Sequence, residues 1–103
     1  MRRLLDNRRA GENFELRHGG KNTSFIITLG RYSDGAVGEV FISGAKAGSE
    51  VDAVARDGAI LLSLALQHSV PLETIRHAMT READGSASTI VGAVVDEISR
   101  KEQ

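Results

Sequence analysis

The first half of the chain has strand-like patterns: Phe14 and Leu16 alternate with polar residues, and residues 23–29 are rich in β-branched and aromatic side chains. Three such segments are separated by turn-forming stretches, and they cover residues 12–17, 23–29 and 37–42. A period of two is typical of strands, and short turns between consecutive strands favour antiparallel pairing. We therefore predict a three-stranded antiparallel meander with Gly38 as a candidate β-bulge. Each segment holds one phenylalanine, and we expect Phe14, Phe25 and Phe41 in the core.

The spacing becomes helical at Ser49, an N-cap residue that Asp52 follows three positions later. The helix predicted over residues 49–68 has one long apolar face, made by Val51, Val54, Ala55, Gly58, Leu61, Leu62, Ala65 and Leu66. Ile60 and Leu64 lie on nearly the opposite face. A helix that is apolar on two sides is covered twice by its own chain or packs against a second copy. We expect self-association through Ile60 and Leu64, and hence a homo-oligomer.

Two further helices follow. Pro71 suits the first position of a short helix whose buried side chains are expected at Leu72, Ile75 and Met79. A last helix is predicted from about Ser86, with a buried face formed by Ile90, Val91, Val94, Val95 and Ile98. Because the strands precede the helices, the predicted fold class is α+β, a three-stranded meander followed by three helices packed on one face. Residues 1–103 are expected to form a single domain, with residues 1–11 as a flexible basic arm.

Composition restricts the classes of function. The chain has 103 residues, a net charge of −1 and no cysteine, so we predict no disulfide and no thiolate metal site. Its N-terminus lacks the apolar segment of a signal peptide, and its apolar runs are shorter than a bilayer span. We expect a soluble, cytoplasmic protein without membrane contact. The near-neutral charge gives no strong field to attract nucleic acid.

The segment Gly44–Ser49 is a candidate anion site. Its two glycines allow a sharp turn, and the following helix offers free N–H groups and a positive dipole end, beside which Lys46 adds a charge. The spacing differs from a Walker loop, because Lys46 lies between the glycines. Glu50 and Asp52 oppose an anion there. Two interpretations stay open: a strand-to-helix corner, or a nucleotide-like ligand bound by Lys46, Gly48 and Ser49.

Nucleic-acid binding is an alternative hypothesis. The N-terminal arm carries four arginines, Arg2, Arg3, Arg8 and Arg9, and residues 65–76 have the outline of a helix-turn-helix. Ser69 stands in the turn where glycine is commonest, and Glu73 is unfavourable near phosphates. Only 4% of the residues are aromatic, which argues against stacking on single strands. We therefore do not expect nucleic acid as the main partner.

No catalytic or metal site is predicted. His68 and His77 are nine positions apart across a turn, so they lack the one-turn spacing of a helical zinc site. Neither Ser63 nor Thr74 stands near a recognisable base. We predict no catalytic residue, no metal and no cofactor.

Residues 37–75 resemble the TSCPD domain, which occurs at the C-terminus of adenosylcobalamin-dependent (class II) ribonucleotide reductases and in small stand-alone bacterial proteins. Four pieces of this sequence carry the resemblance: residues 38–42, Lys46 with Gly48 and Ser49, residues 62–66, and Val70-Pro71 with Ile75. The resemblance implies the family's small fold and a connection with a reductase.

The family's cysteines are missing from this chain. The family is named after a Thr-Ser-Cys-Pro-Asp motif, but here Thr23-Ser24 is followed by Phe25-Ile26-Ile27. Metal binding or electron transfer through those cysteines is therefore excluded for this chain. We predict a non-catalytic interaction or regulatory module that self-associates and binds a protein partner, a ribonucleotide reductase or another, or a nucleotide-like anion. The alternatives are a nucleic-acid-binding regulator and an accessory reductase subunit acting in trans.

Overall fold

Three strands precede three helices, and the predicted α+β class is confirmed. The computed structural model describes residues 1–20, 22–44 and 48–102. The strands are β1 (Gly11–His18), β2 (Thr23–Arg31) and β3 (Val37–Ser43). The helices are α1 (Glu50–Gln67), α2 (Leu72–Ala78) and α3 (Ile90–Lys101).

The sheet is an antiparallel meander in the order β1-β2-β3. β1 pairs with β2 without interruption from Gly11 opposite Gly30 to His18 opposite Thr23. In the β2–β3 pair the register shifts after Gly30, and Gly38 is the extra residue on β3. The predicted bulge is confirmed. A Cβ atom at Gly38 would lie 2.4 Å from the Tyr32 ring, so only glycine fits this position.

The core lies between one face of the sheet and the helices. α1 packs on β3, α3 contacts α1 and β1, and α2 packs on α3. The buried apolar side chains are Phe25, Ile27, Leu29, Val40, Ile42, Ala55, Ala59, Leu62, Ile90, Val94, Val95 and Ile98. The stripe predicted for the second helix, formed by Leu72, Ile75 and Met79, packs against this core at partial burial.

The predicted buried face of α1 was wrong in part. Val51, Val54 and Leu61 are 57%, 58% and 68% exposed. The face that meets the sheet instead contains Asp52, Ala55, Ala59, Leu62, Ser63 and Gln67. The helix is rotated so that two polar side chains, Ser63 and Gln67, reach the free edge of β3.

Two other predictions need correction. Phe41 is 52% exposed, because Val40 and Ile42 take the inward positions of β3 and alternation turns Phe41 outward. The last helix begins at Ile90, not near Ser86, and the Thr89 side chain caps it by accepting from the Gly92 N–H at 3.0 Å.

Candidate functional site

Two side chains of α1 form hydrogen bonds with backbone groups at the free edge of β3. The Val40 N–H donates to the Ser63 hydroxyl oxygen at 2.9 Å. That hydroxyl lies 3.1 Å from the Val40 carbonyl oxygen and 2.8 Å from the Ala59 carbonyl oxygen. The Gln67 amide donates to the Gly38 carbonyl oxygen at 2.9 Å. Sequence reasoning missed both residues. Their only signal is a polar side chain inside an otherwise apolar helical segment.

An open groove of about 560 Å³ runs between the edge of β3 and α1. Phe41, Ile60 and Leu64 line it, with Arg56 toward the start of α1 and Arg2 near its end. Ile60 is 56% exposed and Leu64 is partly buried. The two predicted self-association residues therefore lie on one surface, which also holds the unexpectedly exposed Phe41.

This surface continues around the helix. At 100° per residue, Val54 and Leu61 lie on the arc of α1 next to Ile60 and Leu64. We use the term α1 outer surface for Phe41, Val54, Ile60, Leu61 and Leu64. Its apolar side chains are grouped on one side of the molecule, unlike the scattered apolar residues of an ordinary surface.

Most charges around the α1 outer surface already have a partner. Arg56 Nε lies 3.2 Å from Asp52 Oδ2, and Arg9 pairs with Glu39 at 2.7 Å. Arg2 differs, because its Nε donates to the neutral amide oxygen of Gln67 at 2.5 Å.

One carboxylate stands inside the apolar arc. Asp57 is exposed, and it takes part in no ion pair among the described residues. In the described part of the chain, Arg2 near the end of α1 thus has no carboxylate partner, and Asp57 near the middle of α1 has no cationic partner.

The candidate anion corner is described only in part. Lys46 lies outside the described residues. Gly48 has φ 80°, which glycine adopts without strain. The Ser49 hydroxyl oxygen accepts from the Asp52 N–H at 3.1 Å, so it caps α1. An anion at Lys46, Gly48 and Ser49 stays a prediction.

The arginines of the N-terminal arm differ in their contacts. The Arg3 guanidinium stacks 3.7 Å from the centre of the Tyr32 ring and pairs with Asp34 at 3.2 Å. The Tyr32 hydroxyl donates to the Arg3 carbonyl oxygen at 2.6 Å. Arg8 is exposed and appears in no ion pair of the described chain. Nucleic-acid binding by Arg2, Arg3, Arg8 and Arg9 remains a hypothesis, and three of these four are engaged within the domain.

Glu73, one of the residues that a helix-turn-helix would offer to DNA, links α2 to α3. Arg76 Nη2 donates to Glu73 Oε2 at 2.8 Å, and the Ser99 hydroxyl donates to Glu73 Oε1 at 2.8 Å. The hydrogen bond from Arg76, followed by that from Ser99, lowers the pKa of Glu73 to about 2. This side of α2 works as a packing contact.

The described residues offer neither a metal-binding cluster nor a membrane-spanning helix. Residues 1–20, 22–44 and 48–102 contain no group of three or more His, Asp or Glu side chains placed to hold a metal ion. Within the same ranges, no helix combines the length and the hydrophobicity needed to cross a bilayer.

The fold and the α1 outer surface define a small α+β domain with an exposed apolar helix face. The family model of the TSCPD domain matches residues 2–100. The chain therefore belongs to the TSCPD domain family, and the resemblance seen in the sequence is confirmed.

Two relatives that match this chain are much longer than it. A vitamin B12-dependent ribonucleotide reductase of Agrobacterium fabrum is 38% identical over 79 residues, which are 77% of this chain and 6% of the relative. A vitamin B12-dependent ribonucleotide reductase of Rhodopirellula baltica is 40% identical over 81 residues, 72% of this chain and 8% of the relative. The chain thus spans less than a tenth of these relatives. No solved structure matches it.

Proposed function

We propose that this TSCPD domain is a non-catalytic interaction module that self-associates through the α1 outer surface. The supporting observation is the exposure of its large apolar side chains. Val54, Ile60, Leu61 and Phe41 are 58%, 56%, 68% and 52% exposed, although the same chain buries similar side chains completely elsewhere. Grouped exposed apolar residues of this kind are typical of docking sites.

The free energy expected from burying these side chains in a dimer corresponds to a modest affinity. Full burial of a large apolar side chain is worth about 1.5–3 kcal/mol, so each of these half-exposed side chains contributes about 1 kcal/mol. Four on each of two copies give about 8 kcal/mol, which is comparable with the roughly 4–15 kcal/mol lost on association. We therefore expect a concentration-dependent dimer.

The test is the mass of the protein in solution over a wide concentration range, measured by sedimentation velocity and light scattering. Ile60→Glu and Leu64→Glu place a charge inside the surface and should shift the protein to the monomer. Val51→Glu is the matched control, because Val51 is 57% exposed on the same helix and lies outside the α1 outer surface. It should leave the mass unchanged. A wild type that stays monomeric at the highest concentration contradicts self-association.

A reductase is a second candidate partner, since this chain is similar to a short segment of two much longer reductases. An accessory role in trans would use the same apolar surface against the larger enzyme. Purified reductase from the same cell should then be retained by immobilised wild-type domain and not by Ile60→Glu. Equal retention by both variants would remove this candidate.

A further inference from the structure

We infer that two copies of this chain pair with their α1 helices antiparallel, and that Asp57 of each copy forms an ion pair with the partner's Arg2. This arrangement rests on the proposed self-association and adds its geometry. It assigns a role to Arg2 and Asp57, two charged residues beside the α1 outer surface that form no ion pair among residues 1–20, 22–44 and 48–102.

Two-fold symmetry allows the two α1 helices to run antiparallel. Two identical surfaces that meet across a two-fold axis form an isologous contact, and an axis perpendicular to α1 makes the two helices antiparallel. The exposed apolar residues of α1 extend from Val54 to Leu64 and centre near Ile60. With the axis midway between Ile60 and Leu61, Ile60 faces the partner's Leu61, and Asp57 faces the partner's Leu64.

The positions of the charges match this register. Arg2 is bonded to Gln67, three residues beyond Leu64 and thus about 4.5 Å further along the axis. An arginine side chain spans that distance, so the partner's Arg2 reaches Asp57. Within one chain the two cannot meet through this face, because Asp57 and Gln67 are ten residues and therefore about 15 Å apart along α1.

The same pairing explains why a carboxylate is tolerated inside an apolar arc. An unpaired Asp57 would lose its hydration when the helices meet, which opposes association. The partner's Arg2 replaces that hydration with an opposite charge, and it does so only in the antiparallel register. The pair therefore selects the orientation of the dimer, while the apolar side chains supply the attraction.

The experiment reverses each charge separately. In Arg2→Glu homodimers both contacts become Glu against Asp, and in Asp57→Arg homodimers both become Arg against Arg. Each single variant should raise the dimer dissociation constant roughly tenfold, because symmetry counts every change twice. Arg8→Glu makes the same change of charge in the same arm, at an exposed residue without an ion pair in the described chain. It should leave the dissociation constant within about twofold of the wild type.

A mixture of the two variants is the decisive sample. One Arg2→Glu chain and one Asp57→Arg chain have opposite charges at both contacts, so the mixture should form a heterodimer with nearly wild-type affinity. Its recovery also shows that both variants are folded. A dimeric wild type with unchanged single variants, or a mixture no tighter than the variants alone, overturns this arrangement and leaves the proposed function standing. A monomeric wild type overturns both.

Discussion

Replacing Ser63 with alanine tests whether α1 stabilises the free edge of β3. The change removes the acceptor of the Val40 N–H and the donor that faces the Val40 carbonyl. Val40 is only 2% exposed, so water does not easily replace the hydroxyl. An unsatisfied buried group costs about 1–3 kcal/mol. The higher helix propensity of alanine stabilises α1 by roughly 0.5 kcal/mol. The expected net loss of stability is about 1.5 kcal/mol.

Ser99→Ala is the matched control. Ser99 is also in a helix and 6% exposed, but its hydroxyl donates to Glu73, whose side chain is 56% exposed. Water and Arg76 still satisfy that carboxylate after the substitution, so the lost bond and the gained propensity should nearly cancel. The same serine-to-alanine change thus removes one hydrogen bond to a buried backbone group and one to an exposed carboxylate.

The assays are urea unfolding and thermal unfolding, both followed by far-ultraviolet circular dichroism, together with amide hydrogen exchange. Ser63→Ala should lower the melting temperature by roughly 6–12 °C relative to the wild type, and Ser99→Ala should change it little. The Val40 amide should exchange faster in Ser63→Ala than in the wild type. If the free energies of unfolding of the two variants agree within about 0.3 kcal/mol, the hydrogen bonds between Ser63 and Val40 do not contribute the stability assigned to them.

Two further predictions concern the corner between α1 and α2 and its contact with α3. Ser69 has φ 65°, a backbone conformation that costs other residues about 1 kcal/mol more than glycine. Ser69→Gly should therefore raise the melting temperature by a few degrees. An unchanged or lower melting temperature contradicts this. The pKa of Glu73 falls from its ordinary 4.5 to about 2 through hydrogen bonds from Arg76 and Ser99. Its contribution to stability is therefore complete above pH 4.5 and is lost as the pH falls toward 2. Glu73→Gln should be less stable than the wild type at pH 7, and its free energy of unfolding should fall less between pH 4.5 and 2. Urea titrations at several pH values measure this dependence. The same pH dependence in both proteins would contradict the prediction.

The strands and the order of the helices could be predicted because they depend on local pattern. Alternation and turn residues place β1, β2 and β3, and the glycine inside β3 marks the bulge. The start of α3 could not be found in the same way. Ser86 and Thr89 are both suitable N-caps, and the sequence pattern does not choose between them. The backbone before Thr89 is held outside the helix, because Ala87 forms a β-bridge with Arg81 and the Ser88 N–H donates to the Thr80 carbonyl oxygen at 3.0 Å.

The rotation of α1 explains why part of the candidate site could not be predicted from the sequence. Hydrophobic periodicity selects the face with the most apolar side chains, and that face includes Val54 and Leu61. The free edge of β3, however, exposes backbone groups at Gly38 and Val40 that need hydrogen-bond partners. Turning Ser63 and Gln67 toward that edge satisfies these groups and leaves leucine and valine outside. The apolar surface that we assign to self-association is thus a direct consequence of protecting the edge strand within one copy.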